Sequence, residues 1–227
     1  MAKLAYNPQA EGFQAWYDKL VQVITDEGAD DSFAGIVRQW TEYCQEAEAQ
    51  KIFTGSAAED NFNTFKEVND AFRQFFQSFG EELGTIGSKV AETIAALEQT
   101  VSTTGAIDIP SFNIPEVNVP EVPPYETSTD VIRYDTEPIS ILAQNIGKLN
   151  ENLEAAKGKM DTELARLDSG EEIWDGAYAA SFVNAVTTCL NNNIPKIKED
   201  IDGVSNYLTN TVIGAVDAVE STQVTAG

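Results

Sequence analysis

The stretch from Ile139 to Leu167 reads ISILAQNIGKLNENLEAAKGKMDTELARL, and in it Ile139, Leu142, Ile146, Leu149, Leu153, Ala156, Met160, Leu164 and Leu167 recur at steps of three or four. An α-helix turns once in about 3.6 residues, so this spacing lines the apolar side chains along one face. Lys148, Asn150, Glu151, Glu154 and Lys157 fall between them and take the solvated face. Asp168-Ser169-Gly170 ends the pattern. A second stripe then runs through Phe182, Val186, Leu190, Ile194, Ile197, Ile201, Val204, Leu208, Val212, Ala215 and Val219. Its register survives Pro195, which predicts a kink near Asn191 to Ile194 and not a helix end. Two long amphipathic helices with a short turn between them predict an antiparallel helical hairpin over 137–227.

Residues 1–105 repeat the plan. Phe33, Ile36, Val37, Trp40, Tyr43, Cys44 and Ala47 form one stripe, and Phe53-Thr54-Gly55-Ser56 breaks it. Phe62, Phe65, Val68, Phe72, Phe75, Phe76, Phe79, Leu83, Ile86, Val90, Ile94 and Leu97 form another. Gly80, Gly84 and Gly87 each weaken that helix by about 1 kcal/mol relative to Ala. Their regular spacing predicts close approach of a neighbouring helix. The Phe-rich part is apolar over a wide arc, so it is expected to contact both its hairpin mate and the N-terminal helix or the connector. A short extra helix (Phe13, Trp16, Tyr17, Leu20, Val23, Ile24) comes first and ends near Gly28; Asp30, Asp31 or Ser32 caps the next one. Phe53-Thr54-Gly55 precedes Trp174-Asp175-Gly176 by 121 positions, with Phe62 and Phe182 following in the two copies. Two hairpins, each with a wide apolar face, are expected to pack as an intramolecular four-helix bundle, giving an all-α fold and a monomer.

Six of the eight Pro residues (Pro110, Pro115, Pro120, Pro123, Pro124, Pro138) fall in or beside the segment 106–136. Pro lacks the N–H and fixes φ, so neither helix nor central strand survives there. This segment reads as an extended, partly polyproline connector. Its Ile107, Ile109, Phe112, Ile114, Val117 and Val119 predict that it lies along the folded body.

The 227 residues carry 37 acidic and 14 basic side chains, a net charge of −23, and no His. Gripping a phosphate backbone takes Lys and Arg, so no nucleic-acid partner is expected. Absence of His removes Ser-His and Cys-His nucleophiles and most zinc sites. Glu81-Glu82 and Glu171-Glu172 read as solvated faces, because neighbouring helical carboxylates point to different sides. No catalytic residue, metal site, cofactor or small-molecule substrate is expected. Cys44 and Cys189 match no paired motif and read as reduced, buried small hydrophobes. The opening Met1 to Tyr6 carries no apolar run of a cleaved signal peptide, and no stretch is apolar enough to span a bilayer.

Trp174-Asp175-Gly176-Ala177 at the elbow of two long apolar stripes resembles the WXG family of small helical hairpins, the ESAT-like substrates of type VII secretion. The resemblance covers residues 137–220 and, more loosely, 30–100, where Phe53 stands in place of the Trp. It implies a tandem fusion of a module that ordinarily pairs between chains. It further implies a protein secreted folded from a Gram-positive-type bacterium without a cleaved signal, recognised by an export ATPase or escorting a co-secreted effector. Trp174, Gly176, Phe53, Gly55 and Tyr207 are the recognition candidates. The family's Tyr-x-x-x-Asp/Glu export signal is altered here: Tyr207 meets Thr211 at the fourth place, and Tyr125 meets Thr129 with Asp130 one position late. Its absence leaves three alternatives: dependence on a partner for export, a retained chaperone, or a variant tail such as Asp217 to Glu220. A second reading is a helical membrane-acting, pore-forming toxin that opens to expose its stripes.

Overall fold

Both halves fold as helices along the stripes. The computed structural model of the chain describes residues 3–55, 58–100, 109, 112, 116–125, 127 and 133–225. In chain order the elements are β1 (Ala5–Tyr6), α1 (Ala15–Thr25), α2 (Phe33–Ala49), β2 (Phe53–Thr54), α3 (Ala58–Gly84) and α4 (Ile86–Thr100). They continue with β3 (Arg133–Tyr134), α5 (Thr136–Ala165), β4 (Trp174–Asp175), α6 (Ala177–Asn206) and α7 (Gly214–Thr225). π-helical turns at Ala10–Gln14 and Tyr207–Ile213 lead into α1 and α7. The chain is thus mostly helical, and its strands among the described residues are two-residue clips.

Local chemistry sets the helix ends. Of the three candidate caps, Ser32 starts α2, its Oγ accepting from the Gly35 N–H at 3.0 Å. Helix α6 runs through Pro195 unbroken; the departure from α geometry comes later, at Tyr207–Ile213. The long Phe-rich stripe is divided at Thr85, whose hydroxyl donates back to the Glu82 carbonyl at 2.8 Å. That bond competes with the backbone ladder just after Gly84, a weak helix former. The expected close helix approach at the glycines is corrected by the space around them. A Cβ on Gly80 or Gly84 would meet nothing within 4 Å, and one on Gly87 would meet the Phe112 ring of the connector at 2.7 Å.

Helix α6 packs extensively on α5 and α3. The antiparallel register of α5 and α6 shows in Ser205 Oγ donating to the Ala143 carbonyl (3.0 Å) and Asn150 Nδ2 to the Lys198 carbonyl (3.3 Å). Lys196 donates to Gln74 of α3 at 3.0 Å, and Lys89 of α4 to Ser181 at 3.3 Å, so α3 and α4 follow α6 in the opposite sense. Helix α2 lies on α5, with Asn152 donating to Gln39 at 3.2 Å and Lys159 paired to Asp31 at 2.6 Å. Helix α1 rests on α5 and α2.

One continuous apolar core extends from Phe13 to Val212. All nine members of the Ile139–Leu167 stripe are buried, and so is the second stripe from Phe182 to Val212. Each fully buried Leu, Ile or Phe contributes about 1.5–3 kcal/mol relative to exposure. Ala215 and Val219 lie outside the core, with Val219 59% exposed, because α7 touches little besides the turn before it.

The backbones of α2 and α3 meet only sparsely. Large rings bridge them: Phe33 to Phe75 with centroids 4.8 Å apart, and Trp40 to Phe65 at 5.3 Å. The connector's residues 116–125 lie along α3 and reach α2 through Tyr125, burying Val119, Val122 and Tyr125, while Ile107 and Ile114 lie outside the described residues. This part of the connector is therefore core and not merely draped. Cys44 and Cys189 are free and buried, and burial raises both thiol pKa values.

Burial also keeps tyrosines neutral. The Tyr17 hydroxyl is pushed up to about 12, first by desolvation and then by Asp18. Desolvation raises Tyr125 as well. A phenol is uncharged when protonated, so this stability is complete below the ordinary tyrosine pKa of about 10 and is lost as pH rises through the folded value. In an alkaline titration followed at 295 nm and by circular dichroism, some of the seven tyrosines are expected to ionise only as helix is lost. Ionisation of all of them near pH 10 with helix intact would contradict this packing.

Candidate functional site

Ile52-Phe53-Thr54-Gly55 and Ile173-Trp174-Asp175-Gly176 fold alike at opposite ends of the long helices. Each contributes a two-residue strand: β4 pairs antiparallel with β1 (Tyr6 opposite Trp174), and β2 with β3 (Phe53 opposite Tyr134). Each elbow is thus clipped to the segment leading into the other half. The backbone bonds correspond too, with the Asn7 N–H donating to the Ile173 carbonyl at 2.9 Å and the Asp135 N–H to the Ile52 carbonyl at 3.1 Å. Gly55 (φ 101°) and Gly176 (φ 125°) then reverse the chain into α3 and α6, in a region that side chains avoid. At Gly176 a Cβ would also strike Leu4 Cδ1 at 2.7 Å.

The repeat extends into the helices. Ala58, Asn61, Phe65, Val68 and Asn69 are buried, as are Ala179, Phe182, Val186, Cys189 and Leu190, 121 positions on. The pairing of Phe62 with Phe182 is corrected by this register. Buried Asn61 matches Phe182, and half-buried Phe62 turns to the connector's Tyr125, with ring centroids 6.5 Å apart.

Trp174 is fully buried. Its ring lies 5.9 Å from those of Phe13 and Phe182, and its indole N–H donates to Thr93 Oγ1 at 3.1 Å. Thr93 in turn donates to the Lys89 carbonyl at 3.0 Å. Trp16 completes the cluster, stacking edge-on to Phe182 and donating its indole N–H to the Glu163 carbonyl at 2.7 Å. Periodicity did not foretell that α1 and α4 converge on this elbow, since only the tertiary path brings Phe13, Trp16 and Thr93 to it. A buried Trp174 presents no surface to a partner; what faces outward here is charged. Lys3 pairs with Glu172 at 3.0 Å and Asp175 at 3.6 Å, and Arg166 with Glu163 at 2.8 Å and Glu171 at 2.9 Å. Hydrogen bonding from Arg166 holds the Glu171 carboxyl below its ordinary pKa.

At the other elbow, Thr54 Oγ1 accepts from the Arg133 N–H at 3.1 Å and Gly55 is buried. The side chain of Phe53 lies outside the described residues. Tyr207 is half-buried at this same end, its pKa raised first by burial and then by Asp60 and Tyr134. The five candidates thus separate: Phe53, Gly55 and Tyr207 gather at one end, Trp174 and Gly176 at the other. Among the described residues no cluster of three His, Cys, Asp or Glu side chains is placed to hold a metal ion.

Trp174→Ala is expected to cost about 3–5 kcal/mol in urea unfolding, as for other buried aromatics, and Trp174→Phe clearly less. Gly176→Ala should cost about 1–3 kcal/mol from the forced φ. Gly158→Ala, in open space on α5, should instead stabilise by up to about 1 kcal/mol. Equal effects at the two glycines would contradict the elbow geometry. Comparison with protein-family models, with curated proteins and with solved structures finds no match to this chain.

Proposed function

We propose that this chain is a non-enzymatic protein of a type VII (ESX-like) secretion system, an exported substrate or an adaptor, whose two WXG-like hairpins pair within one molecule as a four-helix bundle. The observation that carries this reading is the repeated elbow, with each elbow strand clipped to the entry of the other half. A module that pairs between chains would need both clips in trans; fusion supplies them in cis, at an effective concentration on the order of millimolar. A monomer follows, because each half already covers the other.

The WXG resemblance also sets a tyrosine after the second helix beside the partner hairpin's elbow. Tyr207 follows α6 and lies near Tyr134, which faces Phe53 across the β2–β3 clip. The acids beyond it, Asp217 and Glu220, stand on exposed α7. Recognition by the export ATPase, or by a co-secreted effector, would therefore use this end, and Trp174 would act as the plug that stiffens the opposite elbow. This revises the role of Trp174: its substitution harms folding first.

Expressed in a bacterium with a type VII system, the chain is expected in the medium, and absent from the medium of an otherwise identical strain lacking the export ATPase. Tyr207→Ala should lower export at least about tenfold while leaving the thermal midpoint within a few degrees. Equal release from both strains, or retention in both with neither ATPase nor effector co-purifying, would overturn the proposal.

A further inference from the structure

The segment 118–125 is buried with a period of three. Val119, Val122 and Tyr125 are buried, Pro120 and Pro123 are half-buried, and Asn118, Glu121 and Pro124 are exposed. Three residues per turn is the period of the polyproline II helix, which makes no internal backbone bonds and leaves its carbonyls to be read from outside. They are read here. Asn69, itself 1% exposed, donates its side-chain amide to the Pro120 carbonyl at 2.8 Å. One turn further along α3, Arg73 donates to the Val119 carbonyl at 3.1 Å and pairs with Glu121 at 2.8 Å. Aromatic walls flank the segment. The Tyr125 ring meets Phe62 and Phe65 edge-on at 6.5 and 5.7 Å, and its hydroxyl donates to the Cys44 carbonyl of α2 at 3.4 Å.

Aromatic walls with donors aimed at successive carbonyls are how grooves recognise proline-rich segments in general. We infer that the groove along α3, bounded by α2 at Tyr125 and by α1 at Val119, is a docking groove for an extended, proline-spaced peptide segment of a partner protein, and that residues 116–125 are its built-in competitor. The internal segment underfills the groove. Beside Val117 and Val119 a cavity of about 620 Å3 continues it, walled by Ile24, Phe76, Phe79 and Leu83. A partner segment with larger apolar side chains at those two positions gains contacts that two valines leave unmade, and that surplus is what displaces the strap. The recognised chemistry is therefore a proline-spaced extended chain, with bulky apolar residues at one end and a tyrosine six positions after the second of them. This inference stands apart from the export reading, since it needs only the groove.

The test uses the intact chain and two fluorescent peptides spanning 116–125, one unaltered and one carrying V117L and V119L. Anisotropy should show the double-leucine peptide binding at least about tenfold tighter than the unaltered one. Y125A in the chain, which removes the strap's own anchor, should tighten both by about tenfold, whereas N69A alone should change neither by more than about twofold, since strap and peptide lose the same buried donor. No saturable binding of either peptide at millimolar concentration, or equal binding of a scrambled peptide, would overturn the groove. Should Y125A lose its helical circular dichroism, amide NMR of the unaltered chain with the double-leucine peptide decides: shifts gathered at Phe62, Phe65 and Asn69 support the groove, and their absence overturns it. A concentration-dependent dimer that exchanges straps would overturn the partner assignment and give the groove to a second copy.

Discussion

Mutual shielding of the two halves is the constraint on which this molecule rests. Neither half of the chain can cover its own apolar stripes, and burial of those stripes is the one term large enough to offset the entropy of ordering the chain. Charge does not supply it. The chain carries −23 overall, and its ion pairs, such as Arg38 with Glu42 or Lys157 with Asp161, lie on partly exposed helix faces, where each contributes about 0–1 kcal/mol. The core runs unbroken across both halves, so the halves are not independently completed bodies joined by a tether.

The two strand clips turn that general attraction into a particular geometry. Apolar stripes alone tolerate sliding by a turn, because ridges and grooves repeat along a helix. A two-residue antiparallel clip does not, because its backbone bonds and its side-chain faces change with a slip of one residue. Phe53 opposite Tyr134 and Trp174 opposite Tyr6 therefore set the register at both ends. The buried indole of Trp174, tied to Thr93, then holds α4 to the elbow. Asymmetry between the ends follows from what covers each. Three helices and a plug of rings seal one, while the other keeps half-buried Tyr207 and the exposed acids of α7.

Much of the fold was legible because helix periodicity is a local property. The stripe of Ile139 to Leu167 is buried residue for residue, and the 121-residue offset of the elbows reappears in their hydrogen bonds and glycine dihedrals. Ser32, one of three polar residues that the sequence offers as a cap, starts α2. The failures lie where local signals compete or where distant segments meet. The spacing of Gly80 and Gly84 predicts contact points, yet both face open space, because a small residue permits close approach without requiring it. The break at Thr85 leaves no signal in the spacing, because its back-bond to Glu82 is only one of several a hydroxyl can make. Trp174, named among the recognition candidates, is a core residue, since its bulk suits an elbow plug or a contact and only its neighbours decide.

What the amino-acid order determined by itself is the helical stripes, their apolar faces, the two elbows and the acidic exterior free of His. Each is written in spacing or composition and needs no distant partner. What only the tertiary structure decided is who covers whom: α6 between α3 and α5, α1 and α4 closing on Trp174, and the proline-spaced segment laid along α3. The physical reason is that burial is non-directional. A stripe states that it must be covered, and only the packed chain, through its clips, rings and side-chain donors, selects the surface that covers it.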